Sequence, residues 1–186
     1  NGPKDVHLSA DRYLILGKIP EGLTCIKSPK GTGKTHYLKQ SLAPVRSNDR
    51  VYKTLEEMEE DDLEGTGMVY PEGSVLLIGH RQALIRDMCK RLDLHCYLDD
   101  PPDKRYGGDV ARYGVCLDSL GKITEMRQGK DGSRFLHISD YDTVLIDESE
   151  QVLAHFLSDT IGEDRYKVFE IFTAVIGRAK SVVALD

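Results

Sequence analysis

The run Ser28-Pro29-Lys30-Gly31-Thr32-Gly33-Lys34-Thr35 restricts what this chain can fold into more than any other feature. It follows the pattern glycine, four residues, glycine, lysine, serine or threonine, with Ser28 in the first glycine's place. Such a run works where a buried strand ends and a helix begins. Consecutive backbone N–H groups must turn inward around phosphate, and the helix N-terminus adds its partial positive charge. The flanks comply: Leu23-Thr24-Cys25-Ile26 is short and apolar, and Leu38 and Leu42 fall at helical spacing within His36 to Leu42. Gly31 and Gly33 permit close backbone approach, Lys34 can reach the outer phosphates, and the Thr35 hydroxyl can ligate magnesium. Ser28, Pro29, Lys30, Gly31, Thr32, Gly33, Lys34 and Thr35 are the expected cradle for a nucleoside triphosphate, with Lys30 a solvent-facing charge. A glycine-rich turn that only caps a helix is the competing reading.

The remaining pattern predicts the rest of an α/β domain. Ser74 to Ile78 and Thr143 to Ile146 are continuous apolar runs of the kind buried on both faces of a sheet, and Ser181 to Leu185 is another. Arg81 to Leu92 carries Ile85, Met88 and Leu92 on one helical face, and Arg165 to Arg178 carries Phe169, Phe172 and Ile176. His95 to Leu98 reads as a short strand ended by Pro101 and Pro102. Tyr113 to Leu117 reads as a strand running into a helix near Ser119. Gln128 to Ser133 has the turn chemistry of a hairpin with Arg134 to Ile138 on its return side. Strands alternating with helices imply a mostly parallel sheet covered on both faces. Pro44 to Gly73 is a polar connection whose acidic run, Glu56 to Glu64, reads as a solvated surface segment.

A second acidic feature complements the loop. Val144-Leu145-Ile146-Asp147-Glu148 places two carboxylates at the carboxyl end of a buried strand, the edge where open α/β sheets take ligands. Asp147 is then positioned for magnesium, and Glu148 can serve as general base toward an attacking water. The same residues would also suit an acidic helix start. Together with Lys34, they make hydrolysis the expected chemistry, with Lys34 and Glu148 as its catalytic residues and Thr35 and Asp147 as its metal ligands.

Length and composition set outer bounds. The 186 residues suit one domain, with residues 1–20 a flank and 21–186 the folded unit. A net charge of -6 argues against wholesale coating of nucleic acid. Cys25, Cys89, Cys96 and Cys116 lack CxxC spacing and sit among apolar residues, which predicts reduced core thiols. No apolar run is long enough for a membrane span, so a soluble, intracellular domain is expected, cytoplasmic or, if viral or eukaryotic, nuclear. The chain opens on Asn1, has its first methionine at Met58, and stops on a strand, which reads as a piece of a longer protein.

In order and spacing, several of these motifs resemble the first motor domain of superfamily 2 helicases. They are the phosphate loop, Gly79-His80-Arg81, Cys116-Leu117-Asp118-Ser119-Leu120 and Asp147-Glu148-Ser149-Glu150-Gln151-Val152-Leu153, with Val183-Ala184-Leu185-Asp186 like the start of the third motif. The likeness is particularly to herpesvirus-type replication origin-binding helicases and their phage and bacterial relatives, and it covers about Leu23 to Asp186. It implies a RecA-like fold, ATP and magnesium as ligands, and movement on nucleic acid, single-stranded DNA in particular, with Arg81 and Ser119 near the strand. His80 would either contact nucleic acid or close its strand structurally, and His155 would pack or lie on the surface. The glutamine with which many such motors read adenine is absent upstream of Gln40. A second RecA-like domain, which would supply a closing arginine, has no residues left to form it. The domain alone is therefore expected to bind nucleotide, hydrolyse it poorly and leave duplexes intact. A small-molecule kinase shares the loop but would need an acceptor pocket and basic lid that the sequence does not reveal. A nucleotide-switched assembly module is a third possibility.

Overall fold

The computed structural model describes residues 18–27, 29, 33–46, 68–70, 72–157 and 164–186. In chain order the first half gives β1 (Gly22–Ile26), α1 (Lys34–Leu42), β2 (Val45–Arg46), β3 (Met68–Val69), β4 (Val75–Gly79), α2 (Gln82–Leu92) and β5 (His95–Cys96). The second half gives β6 (Arg112–Cys116), β7 (Thr124–Gln128), β8 (Arg134–Ile138), β9 (Thr143–Asp147), α3 (Ser149–Leu157), α4 (Arg165–Arg178) and β10 (Ser181–Leu185). Six strands form one sheet in the order β1-β10-β9-β4-β6-β5, and every neighbouring pair is parallel. With helices flanking that sheet, the architecture is α/β and fits the RecA-like three-layer sandwich.

Burial explains the placement of the strands. Val75, Leu76, Leu77 and Ile78 of β4 are each 0% exposed, so both faces of the sheet centre are covered. A side chain at Gly79 would meet Ile85 of α2, so alternation puts Leu77 on the α2 face and Leu76 and Ile78 on the opposite one. Burying such side chains contributes about 1.5–3 kcal/mol each. Strand β1 lies at the sheet edge, where Leu23 and Cys25 are exposed while Ile26 is buried. Cys25 is thus not the core thiol expected of it, whereas Cys89, Cys96 and Cys116 are buried; all four are free.

Helices α1 and α2 seal the sheet through the faces that periodicity marked, whereas α4 buries a face that keeps Phe172 but not the Phe169 and Ile176 expected with it, Ile176 being only partly buried. On one side α1 buries Tyr37, Leu38 and Leu42 and packs against α2, which buries Ile85, Met88, Cys89 and Leu92. Val168, Ile171, Phe172 and Val175 form the buried stripe of α4, and the Phe156 ring of α3 meets Phe169 and Phe172 at 5.4 and 5.1 Å. Phe169 itself is half-exposed. Arg112, at the start of β6, donates from its guanidinium to the carbonyls of Leu42, Leu92 and Asp93, joining the C-termini of α1 and α2.

Three local outcomes differ from the sequence pattern. The helix expected near Ser119 is a 3₁₀ segment over Leu117–Ile123. The strand expected over His95 to Leu98 yields after two residues to a 3₁₀ turn at Tyr97–Asp99. Within the connection from Pro44 to Gly73, β2 and β3 pair antiparallel. The acidic run there lies outside the described residues, while the β7–β8 hairpin forms as expected.

Candidate nucleotide site

A parallel sheet brings all its strand ends to one rim, and its register sets which side chains meet there. Ile26, Leu185 and Asp147 are in one row across β1, β10 and β9, and Ile78 pairs with Ile146. One residue further along their strands come Lys27, Asp186 and Glu148, and continuing the β4–β9 register past Gly79 and Asp147 sets His80 beside Glu148. The helix α1 opens beside this rim from Gly33, whose φ of 83° is the left-handed conformation that glycine adopts without strain. Its cap residue has no side chain to satisfy the first N–H groups, and its first turn holds no acidic residue. A helix N-terminus of this kind attracts an anion. Ser28, Lys30, Gly31 and Thr32 lie outside the described residues, and Pro29 is exposed.

Lys34 and Thr35 take different directions. The Lys34 ammonium donates to the Asp186 carbonyl at 2.7 Å and is close enough to Asp147 to favour that carboxylate's charged form. The Thr35 hydroxyl rests against the Met88 sulfur at 3.8 Å, a weak contact easily exchanged for a stronger ligand. Burial pushes the Asp147 carboxyl above its ordinary range, and the adjacent charge of Glu148 adds to this; a backbone N–H, His80 and Lys34 pull the other way. Glu148 has a φ of 50°, a conformation costing a non-glycine residue about 1–3 kcal/mol, and its carbonyl accepts the Gln151 and Val152 N–H groups of α3.

Asp186 is the residue that sequence reasoning left without a role. Its carboxylate accepts the Ser149 hydroxyl and, at 3.0 Å, the Glu150 N–H, capping α3, while its own N–H donates to the Ile26 carbonyl at 3.0 Å. The helix following the acidic pair is thereby tied through Asp186 to the strand preceding the phosphate loop and to Lys34. The short acidic-terminated strand Val183 to Asp186 was the available signal, but only strand order shows that β10 inserts between β1 and β9.

The other expected positions lie along the same edge. Arg81 is exposed, precedes α2 in extended conformation, and donates from Nε to His80 Nε2 at 2.9 Å. His80 Nδ1 stands 3.2 Å from Glu148 Oε2. Ser119 is half-buried in its 3₁₀ segment, close to the Tyr97 phenol. His155 pairs with Asp118 at 2.8 Å.

Two adjacent carboxylates, one held above its ordinary range by burial and by the other's charge, are relieved by a cation. Among the described residues no group of three or more His, Cys, Asp or Glu is arranged to hold a metal.

Sheet, rim and helix define the class as a RecA-like α/β domain. No family model matches the chain. It is 30% identical over 179 residues to an uncharacterized protein of Picosynechococcus sp.. The match takes in 92% of this chain, and the chain spans 15% of that protein's length. Among the described residues no helix is long and apolar enough to cross a membrane.

Proposed function

We propose that this chain is the ATP-binding first motor domain of a superfamily 2 DNA helicase, of the origin-binding or primase-helicase type used in replication. The observation that carries the reading is the meeting of Lys34, Asp147 and Glu148 at the carboxyl rim of a parallel sheet, beside the N-terminus of a helix whose own first turn holds no acidic residue. The backbone of Ser28 to Thr35 would cradle the phosphates and Lys34 would hold the outer ones. Glu148 would accept a proton from the attacking water. Thr35 and Asp147 would hold magnesium, which when bound neutralises phosphate charge and polarises the transferred group. Arg81 and Ser119 would face single-stranded DNA, and a second RecA-like domain would close over the nucleotide and supply an arginine.

Titration with a fluorescent ATP analogue and magnesium tests the binding half. Saturable binding by the wild type, with at least a tenfold loss in Lys34→Ala, is expected. Equal affinity in the two proteins would sink the reading. Glu148→Gln should keep the affinity while lowering turnover at least ~100-fold in the full-length protein, to a residual rate that is still measurable, and single-stranded DNA should stimulate the wild-type rate. Phosphate appearing on a small acceptor instead would favour a kinase.

A further inference from the structure

Glu148 Oε2 is buried and makes no aligned hydrogen bond, yet His80 Nδ1 stands 3.2 Å from it. The His80 side chain is only 13% exposed at the end of β4. Its other ring nitrogen, Nε2, accepts the Nε–H of Arg81 at 2.9 Å. An arginine Nε–H can only donate, so Nε2 carries no proton. The proton of the neutral imidazole then sits on Nδ1, the nitrogen that faces the carboxylate. The three side chains form a directed chain: Arg81 donates to His80, and His80 presents a donor to Glu148.

From this geometry we infer that His80 is a positioning residue for the Glu148 carboxylate and that Arg81 sets the tautomer in which it works. The inference rests on the hydrolytic reading of the site. Anchoring Oε2 from beneath leaves Oε1 as the oxygen available to a substrate water. The backbone of Glu148, in the left-handed region, already directs the side chain to that rim. A carboxylate free to rotate would spend most of its time in unproductive orientations, and a single donor on its inner oxygen removes that freedom. The 3.2 Å contact lacks hydrogen-bond alignment here, and contacts of this kind tighten when substrate is bound. Arg81 is also the residue expected to meet a nucleic-acid phosphate. One guanidinium thus touches both the path of the strand and the histidine behind the base.

The test is steady-state ATP hydrolysis by the full-length protein, with magnesium and a single-stranded oligonucleotide, together with nucleotide affinity and thermal melting. His80→Ala should lower kcat by ~10–100-fold while KM for ATP and nucleotide affinity stay within about twofold. His80→Asn, which keeps a donor near the Nδ1 position, should recover most of the rate. His80→Gln, whose donor lies near the Nε2 position, should not. Combining His80→Ala with Glu148→Gln should be no slower than Glu148→Gln alone, because the histidine acts only through the glutamate. An unchanged kcat in His80→Ala, equal rates for Asn and Gln, or a further loss in the double variant would overturn the assignment. A wild type that binds and hydrolyses no ATP would overturn the hydrolytic reading and the assignment together, whereas normal turnover insensitive to His80 overturns the assignment alone.

Discussion

Replacing Arg112 by alanine should cost this domain about 2–4 kcal/mol, a large share of the ~5–15 kcal/mol that holds a typical domain folded. Its guanidinium donates to the Leu92 carbonyl at 2.9 Å, the Leu42 carbonyl at 3.1 Å and the Asp93 carbonyl at 3.2 Å, and its Cζ lies 4.8 Å from the centre of the Tyr70 ring. Hydrogen bonds from a charged donor contribute roughly 1.5–3 kcal/mol each when fully buried. Arg112 is half-buried and the freed carbonyls can take up water, so ~0.5–1 kcal/mol per bond is the fitting scale here. Those carbonyls are themselves the negative ends of the two helices, so the helix-terminus attraction overlaps with these bonds and adds at most ~0.5 kcal/mol in all, and stacking on the tyrosine adds about 0.5 kcal/mol. For a domain of this size the loss corresponds to a fall of ~5–15 °C in melting temperature. Arg112→Lys should recover less than half, since one ammonium cannot span three carbonyls. Urea unfolding followed by circular dichroism measures the effect. A loss below about 0.5 kcal/mol with an unchanged denaturant slope would show that the two helix ends do not depend on this side chain.

Two further outcomes concern packing and pH. Ala in place of Gly114 would put its Cβ 2.1 Å from the Cys89 Sγ, an overlap that should destabilise by ~1–3 kcal/mol. Adding Cys89→Ala should restore part of it, and simple additivity of the two losses in a double-mutant cycle would refute the clash. Asp100, its side chain 1% exposed, meets His95 Nε2 at 2.8 Å, the Tyr113 hydroxyl at 2.6 Å and Lys122 Nζ at 3.3 Å. Burial opposes its ionisation, but the hydrogen bonds from Tyr113, His95 and Lys122 outweigh that and hold the carboxyl below its ordinary 3.8. A folded-state value below the unfolded one means stability that is fully present above about pH 3.8 and is lost as pH falls through the lower value. Asp100→Asn should therefore be less stable at pH 7 and lose less on acidification to pH 3, read as unfolding free energy at both pH values; parallel losses in the two proteins would count against it.

Much of this domain is legible before any coordinates, because its strongest signals are local. The runs Val75 to Ile78, Val144 to Ile146 and Val182 to Leu185 are apolar at every position, which only a strand covered on both faces accommodates, and they form the sheet centre. The stripe of Ile85, Met88 and Leu92 faces inward as its spacing requires. Where neighbours along the chain do not determine the outcome, the pattern misleads. Cys25 sits in an apolar run yet is exposed, because strand order places β1 at the edge. The residues after Cys116 tighten into a 3₁₀ segment whose Leu117, Leu120 and Ile123 are all buried, at a spacing of three that suits that helix.

The amino-acid sequence by itself determined that a glycine-rich loop joins a short strand to a helix and that two carboxylates end a buried strand, since both are matters of residue type and short spacing. Only the tertiary structure decided that β10 lies between those two strands, so that Asp186 bonds both Lys34 and the start of α3. Only it showed that the end of β4 sets His80 against Glu148. Those contacts join residues 36 to 152 positions apart, and no local periodicity carries information about which strand ends a parallel sheet will bring side by side.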